Sequence, residues 1–111
     1  MTVKLLSEKL GLVVLCGDTS REIDGVYTGD LLSWVMSKLT ENKIWITIMS
    51  NINVVAVASL ADAAAVILAE GVELDEDALE AAKSKDVTVL SSNLDAYTLC
   101  VKIAEAIGDS K

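Results

Sequence analysis

The chain has 111 residues, 52% of them hydrophobic, with no histidine and no proline, and a formal net charge of −8. That length holds one domain around one core, and the absence of histidine removes the commonest general base, the Ser-His-Asp triad and most zinc sites at once. Every Lys and Arg lies outside Ile44–Ala82, whereas that stretch holds Asp62, Glu70, Glu73, Asp75, Glu76, Asp77 and Glu80; such a surface repels phosphate backbones and anionic lipid, so neither nucleic acid nor a membrane is expected as a partner.

In chain order, Thr2–Leu10 places Val3, Leu5, Leu6 and Leu10 among charges, which predicts a short helix capped by Thr2. Leu12–Cys16 is an unbroken apolar run closed by Gly17-Asp18 and reads as a buried strand. Ser20–Gly25 reads as a loop and Val26–Thr28 as a short strand. Gly29-Asp30 then opens a helix to about Leu39, with Asp30 as N-cap. Lys43–Met49 has the β-branched content of a strand, broken by Ser50-Asn51. Asn51–Ala61 reads as a helix, although its valines would equally suit a strand. Ala64–Ala69 is a second buried strand ended by Glu70-Gly71. Asp75–Lys85 is an amphipathic helix whose acids lie in the first turn and lysines in the last, the order the helix dipole favours. Val87–Leu90 is a strand, and Ser92 or Asn93 caps a last helix to about Ile107, with Leu94, Tyr97, Val101 and Ala104 in one stripe before Gly108. Strands alternating with helices predict an α/β fold, a three-layer αβα sandwich with a mostly parallel sheet of about five strands. Residues 1–111 read as a single domain, without linker or repeat.

Several chemistries find no counterpart. There is no Gly-x-x-x-x-Gly-Lys-Ser/Thr loop and no Gly-x-Gly-x-x-Gly, so neither phosphate cradle is present. The acidic run Glu73–Glu80 lacks the alternating ligands and turn glycine of a calcium loop. Cys16 and Cys100 stand far apart with no motif around them and read as reduced, buried thiols of a cytoplasmic protein. The first residues are broken by charges and do not form a signal-peptide core, and no apolar run approaches the ~20 residues of a membrane span. No catalytic residue, metal or cofactor is expected.

Two patterns point to function. In parallel α/β sheets, ligands bind beyond the carboxyl ends of the strands. Here those ends read Gly17-Asp18-Thr19, Thr28-Gly29-Asp30, Ser50-Asn51, Glu70-Gly71 and Ser91-Ser92-Asn93. The candidate ligand-binding residues are Gly29, Asp30, Ser50, Asn51, Gly71, Ser91 and Ser92, although ordinary turn and capping chemistry accounts for the same residue types. The second pattern is apolar excess. The helices at Leu31–Leu39 and Ile52–Ala61 are apolar almost all round, more than a small domain readily buries. Self-association is the natural outlet, with Trp34, Met36, Ile52 and Val55 as candidate interface residues.

A family resemblance joins these readings. Val26-Tyr27-Thr28-Gly29-Asp30-Leu31-Leu32-Ser33, then Ile44–Ile48, Val54–Ala58, Ala65–Gly71 and Val89–Tyr97, in this order, resemble a stand-alone DRTGG domain over nearly the whole chain. The resemblance implies an αβα fold like the N-terminal domain of HPr kinase/phosphorylase, in a family whose members also occur fused to CBS-domain pyrophosphatases and phosphotransacetylases. It implies an accessory, often dimerising, regulatory module, and no kinase activity, because the catalytic P-loop domain has no counterpart here. The namesake Asp-Arg-Thr-Gly-Gly is absent, and Ser50-Asn51-Ile52-Asn53-Val54 stands in its place. Losing that arginine argues against an anionic ligand at the loop. The expectation is therefore a non-catalytic regulatory or interaction module that pairs with itself as a homodimer or with a protein encoded nearby. The alternative is a sensor of a small nucleotide or metabolite at the carboxyl-end loops.

Overall fold

The apolar tetrads Ile44–Thr47 (β3) and Ala65–Leu68 (β4) are buried along their whole length and form the centre of the sheet. The structure, a computed structural model, describes residues 1–108. Around this centre lie α1 (Val3–Leu10), β1 (Val13–Cys16), β2 (Val26–Thr28), α2 (Leu32–Lys38), α3 (Ile52–Ala61), α4 (Glu76–Ser84), β5 (Val89–Ser91) and α5 (Ala96–Gly108). The strand order is β1-β5-β4-β3-β2, with β2 to β5 mutually parallel and β1 antiparallel to β5.

From β2 to β5 the chain moves across the sheet in one direction. Right-handed crossovers then place all three connecting helices on the same face. The packing agrees: Val35 and Leu39 near α2, Val54, Val55, Val57 and Ala58 of α3, and Ala78 and Ala82 of α4 meet Trp45, Val66, Leu68 and Val89 from the sheet. The opposite face holds Ile44, Ile46, Ala65, Ile67 and Leu90, as strand alternation requires. Only the two terminal helices remain to cover it. Val3 and Leu6 of α1 and Leu99, Ile103 and Ala106 of α5 do so, which completes three layers. Trp45 is fully buried under the first face, and its indole N–H donates to the Gly29 carbonyl at 2.9 Å, the partner that a buried indole needs.

Residues 17–25 carry the chain along the amino edge from one edge strand to the other. Four strand spacings are roughly 19 Å, within reach of this extended segment. The N-terminus ties it down: Lys4 N–H donates to the Thr19 carbonyl, Val3 N–H to that of Arg21, and Ile23 N–H to that of Met1. The Arg21 guanidinium donates to the Asp62 carbonyl and carboxylate, both at 2.9 Å, and to the Ala63 carbonyl at 3.1 Å, closing the C-terminus of α3. No helix among the described residues is long and apolar enough to cross a membrane.

Several expectations need correction. β1 is an edge strand, with Val13 58% and Val14 44% exposed, because it runs antiparallel beside β5 alone. Asp30 does not cap α2; Leu31 stands at that position without a side-chain bond, and the Asp30 carboxylate turns to the end of β3 instead. The buried stripe of α5 is Leu99, Ile103 and Ala106, and the expected stripe through Tyr97, Val101 and Ala104 faces outward. Val55 is wholly buried under the sheet face and does not reach a surface. Cys16 and Cys100 are free thiols but half-buried rather than buried. Burial pushes the Cys16 thiol up, and its S–H points to the Val87 carbonyl at 3.4 Å.

Gly17 has φ +97°, and a Cβ there would collide with the backbone Cα and hydroxyl of Thr88. Thr88 cannot yield, because its hydroxyl donates to the Asp18 carbonyl at 2.7 Å. Gly17→Ala should therefore cost about 2–4 kcal/mol, read as a lower urea midpoint with an unchanged slope.

Candidate functional site at the carboxyl edge

Because β2 to β5 are parallel, the loops after them emerge together on one edge of the sheet. Gly17-Asp18-Thr19 does not join them. The antiparallel β1 delivers it to the opposite edge, beside Thr88 and the N-terminal helix.

Most side chains of the gathered loops are spent on holding the loops. Asp30 Oδ1 accepts from the Thr47 hydroxyl at 2.7 Å and from Ile48 N–H at 3.0 Å. Thr47 Oγ1 in turn accepts from Met49 N–H at 3.2 Å. The Ser50 hydroxyl donates to Asp75 Oδ1 at 3.2 Å, and Asn51 Oδ1 accepts from Asn53 N–H at 2.9 Å to cap α3. Gly71 N–H donates to the Ser92 carbonyl and Glu70 N–H to that of Leu94, both at 2.8 Å. Ser92 Oγ accepts from Leu94 N–H at 3.1 Å, and Glu70 Oε2 from Ala96 N–H at 3.2 Å. Asp95 caps α5 through the N–H and hydroxyl of Thr98, at 2.8 and 2.9 Å.

One cleft remains open among these loops. It measures about 430 Å³ and is lined by Leu15, Gly71, Val72, Glu73, Leu74, Leu79, Ser91 and Asn93. Of the seven residues expected to bind a ligand, the structure brings Gly71 and Ser91 together here. Gly29, Asp30, Ser50, Asn51 and Ser92 lie on the same edge but do not line it. Glu73, Asn93 and the leucines were not legible as site residues. Leu15 enters only because β1 pairs with β5, and no local pattern in Leu12–Cys16 announces that partner. At Gly71, φ is +70°, and a Cβ would press on Asn93 Oδ1. The glycine thus lets the Asn93 amide lie against the β4–α4 loop.

The edge is acidic throughout. Its loops and first helical turns carry Asp30, Glu70, Glu73, Asp75, Glu76, Asp77 and Asp95, and no lysine or arginine. The Ser91 hydroxyl has no hydrogen-bonded base beside it among the described residues, so the arrangement suits binding through hydrogen bonds and offers no activated nucleophile.

An αβα domain with a singly wound parallel sheet and a small cleft at its carboxyl edge is the class that fold and site define. The chain belongs to the DRTGG domain family, which matches residues 5–106. No curated protein matches it in sequence. Among solved structures it is similar to the CBS and DRTGG domains of the regulatory region of Clostridium perfringens pyrophosphatase, complexed with its activator diadenosine tetraphosphate, with a TM-score of 0.71 and 14% identity. The match covers 92% of this chain and 45% of that one, so the chain spans less than half its length. Both the family and the mostly parallel αβα fold expected from the sequence are thereby shown.

Two substitutions probe the edge. Asp30→Ala removes both bonds to the end of β3 and should cost about 1–3 kcal/mol in chemical denaturation. The Thr98 N–H, and then its hydroxyl, hold the Asp95 carboxyl below its ordinary value of 3.8. A lowered folded value means that the contribution is complete above the unfolded value and is lost as pH falls through the folded one. Asp95→Asn should therefore flatten the loss of stability below about pH 4, in urea midpoints measured against pH.

Proposed function

We propose that this chain is a non-catalytic regulatory module that acts by pairing with a second copy of itself through the α2 face. The observation that carries this reading is the outer surface of α2. Only Val35 and Leu39 there are buried, while Leu31 is 61%, Trp34 63% and Met36 57% exposed. Ile48 and Ile52 add exposed apolar surface at the adjoining ends of β3 and α3. Leu31 and Trp34, three residues apart, lie to one side of α2, and large exposed apolar side chains on a small acidic domain mark an interaction surface. Membership of the DRTGG family and the likeness to part of a pyrophosphatase regulatory region support the regulatory role. The missing histidine and the occupation of the edge carboxylates and hydroxyls in capping support the absence of catalysis. Two free thiols support a cytoplasmic location.

The cleft at the carboxyl edge favours a second reading, a small-ligand sensor, and a volume near 430 Å³ is in the range of small-molecule sites.

Sedimentation should show a dimer at micromolar concentration. Trp34→Glu should weaken it by at least about thirtyfold, the ~2 kcal/mol of an interface hot spot, with circular dichroism unchanged. A strict monomer at high micromolar concentration removes the self-pairing; loss of a protein partner from the same variant would reassign the face to that partner.

A further inference from the structure

We infer that the cleft between β1, β5 and the β4–α4 loop binds an uncharged heteroaromatic molecule with adjacent N–H donors, a guanine nucleoside being the simplest, and rejects its phosphorylated forms. The inference rests on the sensor reading and names the ligand class of that site.

The walls are Leu15, Val72, Leu74 and Leu79, an apolar lining suited to a flat ring. The polar groups among them are the Ser91 hydroxyl, the Asn93 amide and the Glu73 carboxylate. None of the three side chains has a hydrogen-bond partner among the described residues. Elsewhere on the edge the pattern is reversed: the side chains of Asp30, Thr47, Ser50, Asn51, Ser92 and Asp95 are all engaged. At the cleft, three side chains without partners among the described residues line the same space as the apolar walls. Gly71 leaves room for the Asn93 amide to lie close to the loop backbone at the cleft.

These groups select by type. A carboxylate only accepts, and its two oxygens match two neighbouring N–H donors such as those on one edge of guanine. The hydroxyl and amide can each donate and accept, so they serve the ring's carbonyl and nitrogens. Charge sets the second criterion. Glu73 lines the cleft, Glu70, Asp75, Glu76 and Asp77 belong to the same β4–α4 segment and the first turn of α4, and no lysine or arginine occurs in residues 44–82. A phosphate added to the ligand would meet Glu73 and its acidic neighbours, while the nearest cation along α4, Lys83, stands a turn beyond Leu79.

The test is calorimetric titration of the full chain with guanosine, guanosine monophosphate and diadenosine tetraphosphate. Saturable binding of guanosine is expected, with the monophosphate at least about tenfold weaker at low salt. Glu73→Gln, on an exposed loop position, should weaken guanosine about tenfold and narrow the gap between nucleoside and nucleotide. Tighter binding of either phosphorylated probe overturns the ligand class and leaves the sensor reading standing. Guanosine binding that is indifferent to Glu73→Gln overturns the assignment to this cleft. No response to any probe, with the amide resonances of residues 71–74 and 91–93 unmoved, overturns the inference and the sensor reading together.

Discussion

The direction in which the sheet is wound governs the rest of the molecule. Four parallel strands laid down side by side in sequence order oblige α2, α3 and α4 to share one face. The other face would be bare without two helices from outside the winding. α1 and α5 supply them, one before the first crossover and one after the last. The same winding gathers four loops on one edge and sends the segment after β1 to the other.

Crowding three helices onto one face has a cost at its margin. α3 lies centrally and buries Val54, Val55, Val57 and Ala58, while α2 sits over the edge strand and buries little beyond Val35 and Leu39. The exposed apolar residues of α2 are thus a product of topology: a helix at the margin has fewer neighbours to cover it. At the carboxyl edge, by contrast, nearly every polar group is consumed in fixing the loops. Loops fixed in this way leave the cleft formed in advance, and a ligand entering it would not have to order them.

Much of this was legible in the chain. Ile44–Ile46 and Ala65–Leu68 announce themselves as central parallel strands because burial on both faces leaves no polar alternation. The helix over residues 75–85 is equally plain from its charge order. What failed depended on partners distant in sequence. Leu12–Cys16 is as apolar as a central strand, yet only its pairing with residues 89–91 decides that it lies at the edge. The stripe through Tyr97 and Val101 and the stripe through Leu99 and Ile103 are both apolar, and packing under α1 and the sheet selects the second. Asp30 has good capping chemistry but finds a hydroxyl and an N–H at the end of β3 in better position. For the site, Gly71 and Ser91 were found by strand-end logic, whereas Glu73 and Leu79 belong to the cleft only through the path of the β4–α4 loop.

The pairing of Val13 with Ser91 closes the chain on itself across most of its length. Along the chain, α1 and β1 precede every residue of the sheet face and the strand that they pack against, and β5 and α5 come last among these. The βαβ units can assemble as they appear, but the N-terminal segment must wait for β5 and α5. A contact of such long range is late to form and slow to find. Until the last third of the chain has been synthesised, Val3, Leu6 and the sheet residues that they cover stay open to water. The contacts that close this domain are therefore completed only by its C-terminal end.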